Sequence, residues 1–208
     1  VVLHNDKLVQ QLTWPALPEA IDVTAPCVTA EQQTAVNAIL HVSSGHRRRP
    51  LVISADRGRG KSAALGIAAA QLAAKGKRLL LTAPSPQAAQ TALTHFQRLT
   101  TTEQTDQLQF MPFDELLRGE YRADLLLIDE AAAIPLPQLQ QLTQLYSRLV
   151  FATTEHGYEG TGRSFSLKFQ PYLHQHCPGW QQFRLQTPIR YANDDPLEQQ
   201  IFRSFLLA

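Results

Sequence analysis

The sequence has 208 residues, 44% of them hydrophobic and 18% charged, with a net charge of +1; this is the profile of one globular domain with a sizeable core, and it excludes a disordered or strongly polyanionic chain. No apolar run approaches the roughly 20 residues of a spanning helix, and residues 1–10 carry Asp6 and Lys7 where a signal peptide would have its apolar core. Cys27 and Cys177 stand far apart without CxxC or Cys/His spacing, which argues against a zinc or disulfide framework and for a reducing, cytoplasmic setting.

Residues 1–27, with Pro15, Pro18 and Pro26, read as an arm or linker ahead of a folded unit over 28–208. The chain begins without methionine and ends on an apolar helix-like stretch, 201–208, so a fragment of a longer polypeptide is expected. Thr29 is an N-cap candidate for a helix to about residue 43, with Val36, Ile39 and Leu40 on one face. The basic run His46, Arg47, Arg48, Arg49 follows; a solvated loop is its simpler reading and a nucleic-acid contact the other.

Beyond it the pattern alternates. Residues 51–54 are an apolar, β-branched strand, followed by a glycine-rich loop and an alanine-rich helix over 61–75. Further strands are expected over 78–83, 108–111, 124–129 and 148–153, with helices over 85–99, 114–117 and 137–146. Leucines 139, 142 and 145 keep helical spacing in the glutamine-rich stretch 138–144, which therefore reads as a wet helix face. Near-continuously apolar strands separated by helices imply an α/β fold: a mainly parallel sheet with helices on both faces.

Ala55-Asp-Arg-Gly-Arg-Gly-Lys-Ser62 lies between a strand and a helix, the setting that makes a Walker A phosphate loop credible. Gly58 and Gly60 let the backbone turn its amides toward a polyphosphate, with Asp56, Arg57, Arg59 and Ala63 completing the loop. Lys61 can reach the β and γ phosphates, and Ser62 can hold magnesium. Ala55 replaces the usual first glycine, which costs little where φ is negative. Arg57 and Arg59 touch phosphate, RNA or only water.

Four apolar residues ending in Asp129-Glu130 put two acids at the carboxyl edge of a buried strand. Asp129 is suited to orient a magnesium ion held also by Ser62, and Glu130 to activate the attacking water, since ligand and general base cannot be one carboxylate. Two acids ending a strand also serve as a plain helix cap; joined to the phosphate loop, the catalytic reading is preferred. An extra strand is expected between the two sites.

Val28-Thr-Ala-Glu-Gln32 resembles the glutamine motif of superfamily 1 helicases, in which an amide reads the adenine edge; Gln32 is the candidate. Thr153 and Thr154 close a strand where a polar residue can sense a γ phosphate. The 157–163 stretch, GYEGTGR, is a candidate working loop that contacts nucleic acid through Tyr158 and Arg163 or relays the nucleotide state. Arg190 in Thr187-Pro-Ile-Arg-Tyr191 follows an apolar-alternating segment and can neutralise γ-phosphate charge, a salt bridge being the rival reading.

Together, ADRGRGKSA, LLLIDEAAAIPLP, TTEHGYEGTGRSF and PIRYANDDPLEQ resemble the RecA-like, helicase-like P-loop ATPase module of the bacterial tRNA(Met) cytidine acetyltransferases, over about residues 28–207. That resemblance implies a module driven by ATP or GTP with Mg2+, working on elongator tRNA(Met) beside a covalently linked acetyltransferase domain that uses acetyl-CoA to form N4-acetylcytidine at the wobble position. It also implies that Gln32, the phosphate loop and Arg190 bind nucleotide, and that Lys61, Glu130 and Arg190 act in hydrolysis. No acetyl-CoA-binding pattern is present in 1–208, and no second motor lobe. The other readings are a nucleotide-dependent RNA-binding switch, a superfamily 1-like helicase ATPase without acetyltransferase role, and a small-molecule kinase, the last disfavoured because Glu130 beside Asp129 suits water activation.

Overall fold

In a computed structural model, residues 25–154 and 165–189 are described. Helix α1 (Ala30–Ser44) starts on Thr29, whose side chain accepts from the Gln32 amide N–H, and ends at Gly45. Strand β1 (Leu51–Ala55) leads into α2 (Lys61–Ala73), then β2 (Leu79–Thr82), α3 (Pro86–Leu99), β3 (Leu108–Phe110), α4 (Phe113–Leu116), β4 (Leu125–Ile128), α5 (Leu136–Leu145) and β5 (Leu149–Thr154). A π-turn over Phe165–Phe169 continues into α6 (Gln170–His176), and β6 (Gln181–Leu185) is the last described element.

The six strands form one sheet in the order β3-β2-β4-β5-β1-β6, and every pairing is parallel. The expected fold is therefore present, including the strand between the two motif strands: β5 separates β1 from β4. Strands β1, β2, β4 and β5 are buried along their whole length, as a sheet covered on both faces requires. One apolar cluster packs α1, α2 and α3 against one face through Val36, Ile39, Leu65, Ile67 and Phe96. The other packs α4, α5 and α6 through Leu116, Leu142, Phe169 and Leu173.

Several elements escape the sequence pattern, among them short 3-10 turns over Thr102–Gln107 and Ala131–Ala133. The Phe165–Phe169 turn and α6 have no expected counterpart; they are held by aromatic contacts, Phe169 lying 5.0 Å from both Phe151 and Phe165, ring centre to ring centre. Seven residues with a proline at the start give too short a period to read. Cys27, assigned to the arm, is buried in the α1–α3 core.

Helices α2 and α3 approach closely because Gly66 has no side chain. A Cβ there would collide with the Ala92 carbonyl oxygen and lie 2.8 Å from the His95 Cβ. Since backbone on the neighbouring helix cannot move aside cheaply, Gly66→Val is expected to lower stability by about 1–3 kcal/mol, read as a shift in the urea midpoint at unchanged slope. An unchanged midpoint would contradict this packing.

Candidate functional site

The carboxyl ends of β1, β4 and β5 meet the amino end of α2, and this junction opens into a cavity of about 590 Å³. Gln32, Arg57, Gly58, Gly60, Lys61, Ser62, Ala63, Glu130, Thr154 and Ile189 line it, joined by Pro26, Val28 and a face of α3 that carries Ala88, Thr91 and His95. A cavity of this size matches those that take small-molecule ligands.

The loop between β1 and α2 turns on Gly58 (φ 77°) and Gly60 (φ 84°), both left-handed. Ala55 stays inside β1, fully buried, and its φ is not positive; alanine fits where the usual pattern has glycine. Gly60 has a second reason to be glycine. A Cβ there would sit 2.5 Å from the Ile189 Cδ1 and 2.8 Å from the Gln32 Nε2. The loop is clamped from outside as well: the Ile189 N–H donates to the Gly58 carbonyl at 3.0 Å, and the Glu31 carboxylate accepts from the Gln186 and Thr187 amides at 2.7 and 2.8 Å.

Gln32 is 1% exposed, and its amide is already engaged. The oxygen accepts from the Val28 N–H at 2.8 Å and the nitrogen donates to the Gly60 carbonyl at 3.3 Å. It thus ties α1 to the loop, leaving one N–H and one lone pair for anything else. Of the two loop arginines, Arg59 is buried and Arg57 is exposed on the cavity wall. Asp56 is half-buried and acts electrostatically on Lys61.

Lys61 folds its ammonium back onto the Ala55 and Asp56 carbonyls, at 3.4 and 3.3 Å. Burial pushes its pKa down, while the negative charges of Glu130, Asp129 and Asp56 pull it up. Asp129 is completely buried at the end of β4. One carboxylate oxygen accepts from the Glu130 N–H at 2.9 Å, and the other, Oδ2, has no hydrogen-bond partner. Desolvation raises its pKa to about 6, against the opposing influence of the Ser62 hydroxyl. Thr82 and Thr153, at the ends of β2 and β5, also bury hydroxyls without partners, so this edge of the sheet holds unused oxygen ligands.

Glu130 adopts a left-handed conformation (φ 46°, ψ 44°). A non-glycine residue held there is strained, and such strain concentrates at functional sites. Its carboxylate accepts from the Thr154 hydroxyl, at 3.1 Å to one oxygen and 3.4 Å to the other. Thr154 therefore orients Glu130 from the next strand, a contact beyond the γ-phosphate sensing that its place at a strand end suggests. Ile189 and Thr82 carried no sequence signal; each matters only through the neighbouring strand, Ile189 against the loop after β1 and Thr82 beside Asp129 at the end of β4. Arg190 and the 157–163 loop lie outside the described residues.

Among the described residues no three His, Cys, Asp or Glu side chains cluster as a self-sufficient metal site. Asp129 with its unpartnered oxygen, beside the Ser62 hydroxyl, instead offers the sparse oxygen ligands that suit a hard cation carried in by phosphates. Backbone amides at a helix start, an ammonium and paired carboxylates at one cavity can hold a polyphosphate and polarise a water against it.

The profile of the RNA cytidine acetyltransferase NAT10/TcmA helicase domain matches residues 52–208. The chain belongs to this family. It is 49% identical over 191 residues to the tRNA(Met) cytidine acetyltransferase TmcA of Nitrosococcus halophilus, covering 87% of this chain and 26% of that protein. With the TmcA of Vibrio cholerae the identity is 45% over 217 residues, 98% of this chain and 31% of the relative. The chain thus spans between a quarter and a third of the length of these relatives. Among solved structures, the Pif1 helicase from Candida albicans superposes with a TM-score of 0.52 at 15% identity, over 86% of this chain and 44% of that one, a likeness of fold. The family assignment agrees with the resemblance carried by the four sequence blocks. No described helix is long and apolar enough to cross a membrane.

The buried carboxyl of Asp129 has a consequence for stability. Its folded-state pKa of about 6 lies above the unfolded value, so it costs the folded protein nothing below about pH 4, where both states are protonated. As pH rises from 4 to 6 the unfolded state ionises first, and above 6 the full penalty, roughly 3 kcal/mol, is present. Asp129→Asn is therefore expected to stabilise the ligand-free chain above pH 6 and to match the parent near pH 4, as measured by urea unfolding across that range. A variant less stable than the parent at pH 8 would contradict the desolvation reading.

Proposed function

We propose that this chain binds ATP or GTP with magnesium on the 55–63 loop and hydrolyses it, as the RNA helicase-like motor module of an enzyme that acetylates cytidine in elongator tRNA(Met). The observation that carries the reading is the convergence of Lys61, Ser62, Asp129, Glu130 and Thr154 at one edge of the sheet, around a single cavity. Family membership supports the RNA half of it, since the relatives are named for tRNA(Met) cytidine acetylation.

In this reading the amides of the loop and of the first turn of α2 hold the β and γ phosphates, aided by the helix dipole. Lys61 leaves the Ala55 and Asp56 carbonyls and turns its ammonium onto the phosphate oxygens. Ser62 and Asp129 would hold the magnesium, which when bound neutralises phosphate charge. Glu130, oriented by Thr154, takes a proton from the attacking water as its oxygen bonds to the γ phosphorus and the bond to the β-phosphate oxygen breaks. Arg190, the residue after Ile189 of the clamp, neutralises the charge that develops. Gln32 keeps the loop in shape and has one N–H left for the base. Acetyl transfer from acetyl-CoA belongs to a covalently linked domain outside this sequence.

Phosphate release by the chain, with and without tRNA, tests the proposal. Lys61→Ala is expected to abolish tight nucleotide binding. Glu130→Gln should bind the nucleotide within a few-fold of the parent and turn over about 10²–10⁴-fold more slowly, the range typical of a lost general base. Unchanged turnover in that variant would remove Glu130 from the mechanism. Thr154→Val should lower kcat about tenfold at unchanged KM, because it misaligns the base without touching the phosphates. Stimulation by tRNA is the expected mark of a motor; tight nucleotide binding with no stimulated turnover would make the chain a binding switch.

A further inference from the structure

Because every strand pairing is parallel, the segments that enter the strands share the amino edge of the sheet, opposite the phosphate loop. Strand β1 has five residues, so the two edges stand about 17 Å apart. The entering segments are rich in cations. His46, Arg47, Arg48 and Arg49 precede β1 and are exposed; Lys75, Lys77 and Arg78 precede β2; Arg122 precedes β4 and Arg148 precedes β5. In the strand order β2-β4-β5-β1 these groups form a row about 14 Å long, at one step of about 4.8 Å per strand.

The acids on this edge do not cancel it. Asp124 accepts from the Arg78 N–H at 2.9 Å and faces Lys77 at 3.9 Å, Glu115 is paired with Arg118 at 3.0 Å, and Glu120 is exposed two residues before Arg122. Glu103 and Asp106 lie off to the side, in the turn before β3. None of Arg47, Arg48 and Arg49 pairs with a described acid. With a chain total of only +1, the excess here is a local feature and not a general one.

The row is also held in place. Arg48 takes a left-handed φ of 61°, and its N–H donates to the Ser147 carbonyl at 2.6 Å. Arg148 reaches back to the Gly45 carbonyl at 3.1 Å, and the Arg49 side chain runs along Gly179, where an added Cβ would lie 3.1 Å from its Nε. A loop left to solvent alone has no need of a strained arginine pinned to the next strand. Tyr121 and Trp180, both half-buried, stand at the same edge, so aromatic rings are interleaved with guanidinium groups.

We infer that this amino edge is an RNA-binding surface, with Arg47, Arg49 and Arg78 on backbone phosphates and Tyr121 and Trp180 available for stacking. Arginine suits phosphate by its planar fork of donors, and the mixture of cations with half-buried aromatic rings fits single-stranded or looped RNA better than an acidic protein. The inference rests on the RNA half of the reading above and is independent of the nucleotide half, since the two edges share no residue.

The test is fluorescence anisotropy of the full chain with a labelled tRNA(Met) transcript and with an unstructured 20-nucleotide RNA, across a salt series. The double variant Arg47→Glu/Arg49→Glu, and separately Arg78→Glu, are expected to weaken binding at least tenfold. The double variant should also flatten the salt dependence, by about 1.4 in log–log slope for two lost phosphates on a single strand. Nucleotide affinity should not change, which also reports that the variants fold. Lys168→Glu, exposed in the Phe165–Phe169 turn and not in a segment that enters a strand, should lose less than threefold. An equal loss in Lys168→Glu, undiminished RNA binding in the edge variants, or binding to phosphatidylserine vesicles with none to RNA would each overturn the assignment. RNA binding that survives edge reversal leaves the motor reading intact, whereas nucleotide hydrolysis failing in the parent chain leaves this surface intact.

Discussion

The site depends first on the conformation of one residue. Gly60 sits at φ 84° with the Ile189 methyl and the Gln32 amide against the space where a side chain would be. Its carbonyl takes the Gln32 N–H, and the neighbouring Gly58 carbonyl takes that of Ile189. The loop shape is therefore fixed by α1 on one side and by the segment after β6 on the other. These two are themselves joined through Glu31. Any side chain at position 60 would have to open that closure and, with it, the start of α2.

A second constraint is electrostatic. Lys61 and Asp129 are both buried, and burial drives both toward their neutral forms. Each partly rescues the other's charge. Such a pair is poor value for stability but ready for a ligand that brings opposite charges: phosphate oxygens for the ammonium, a cation for the carboxylate. The left-handed Glu130 adds local strain in the same few ångströms. In the ligand-free chain this edge of the sheet is thus the least relaxed part of a well-packed fold.

Most of the architecture was legible in the sequence because its strands are short, apolar and separated by capped helices. Thr29 caps where expected, Ser85 proves to be the cap of a helix expected to begin on it, and the expected strand boundaries hold to within a residue or two. The motif residues were legible too, since the loop and the Asp129–Glu130 pair each mark the end of a strand. What could not be read was pairing across the sheet. That Thr154 would orient Glu130, that Gln32 would spend its nitrogen on Gly60, and that Ile189 would cap the loop are contacts over long sequence separations. The π-turn and α6 were missed for a different reason: their cohesion comes from contacts between aromatic rings and not from a period. The basic run at 46–49 is an exposed loop, as its sequence suggests; only the sheet order sets it beside the cations entering three other strands.

The central claim is that the 55–63 loop is a phosphate cradle. It is tested most directly by backbone amide chemical shifts of the isotopically labelled chain, titrated with a non-hydrolysable ATP analogue in magnesium and then in EDTA. The account requires the largest saturable shifts at Gly58 to Ala63, with tighter binding in magnesium. Shifts confined to other parts of the chain, or no saturable change at millimolar ligand, would contradict it.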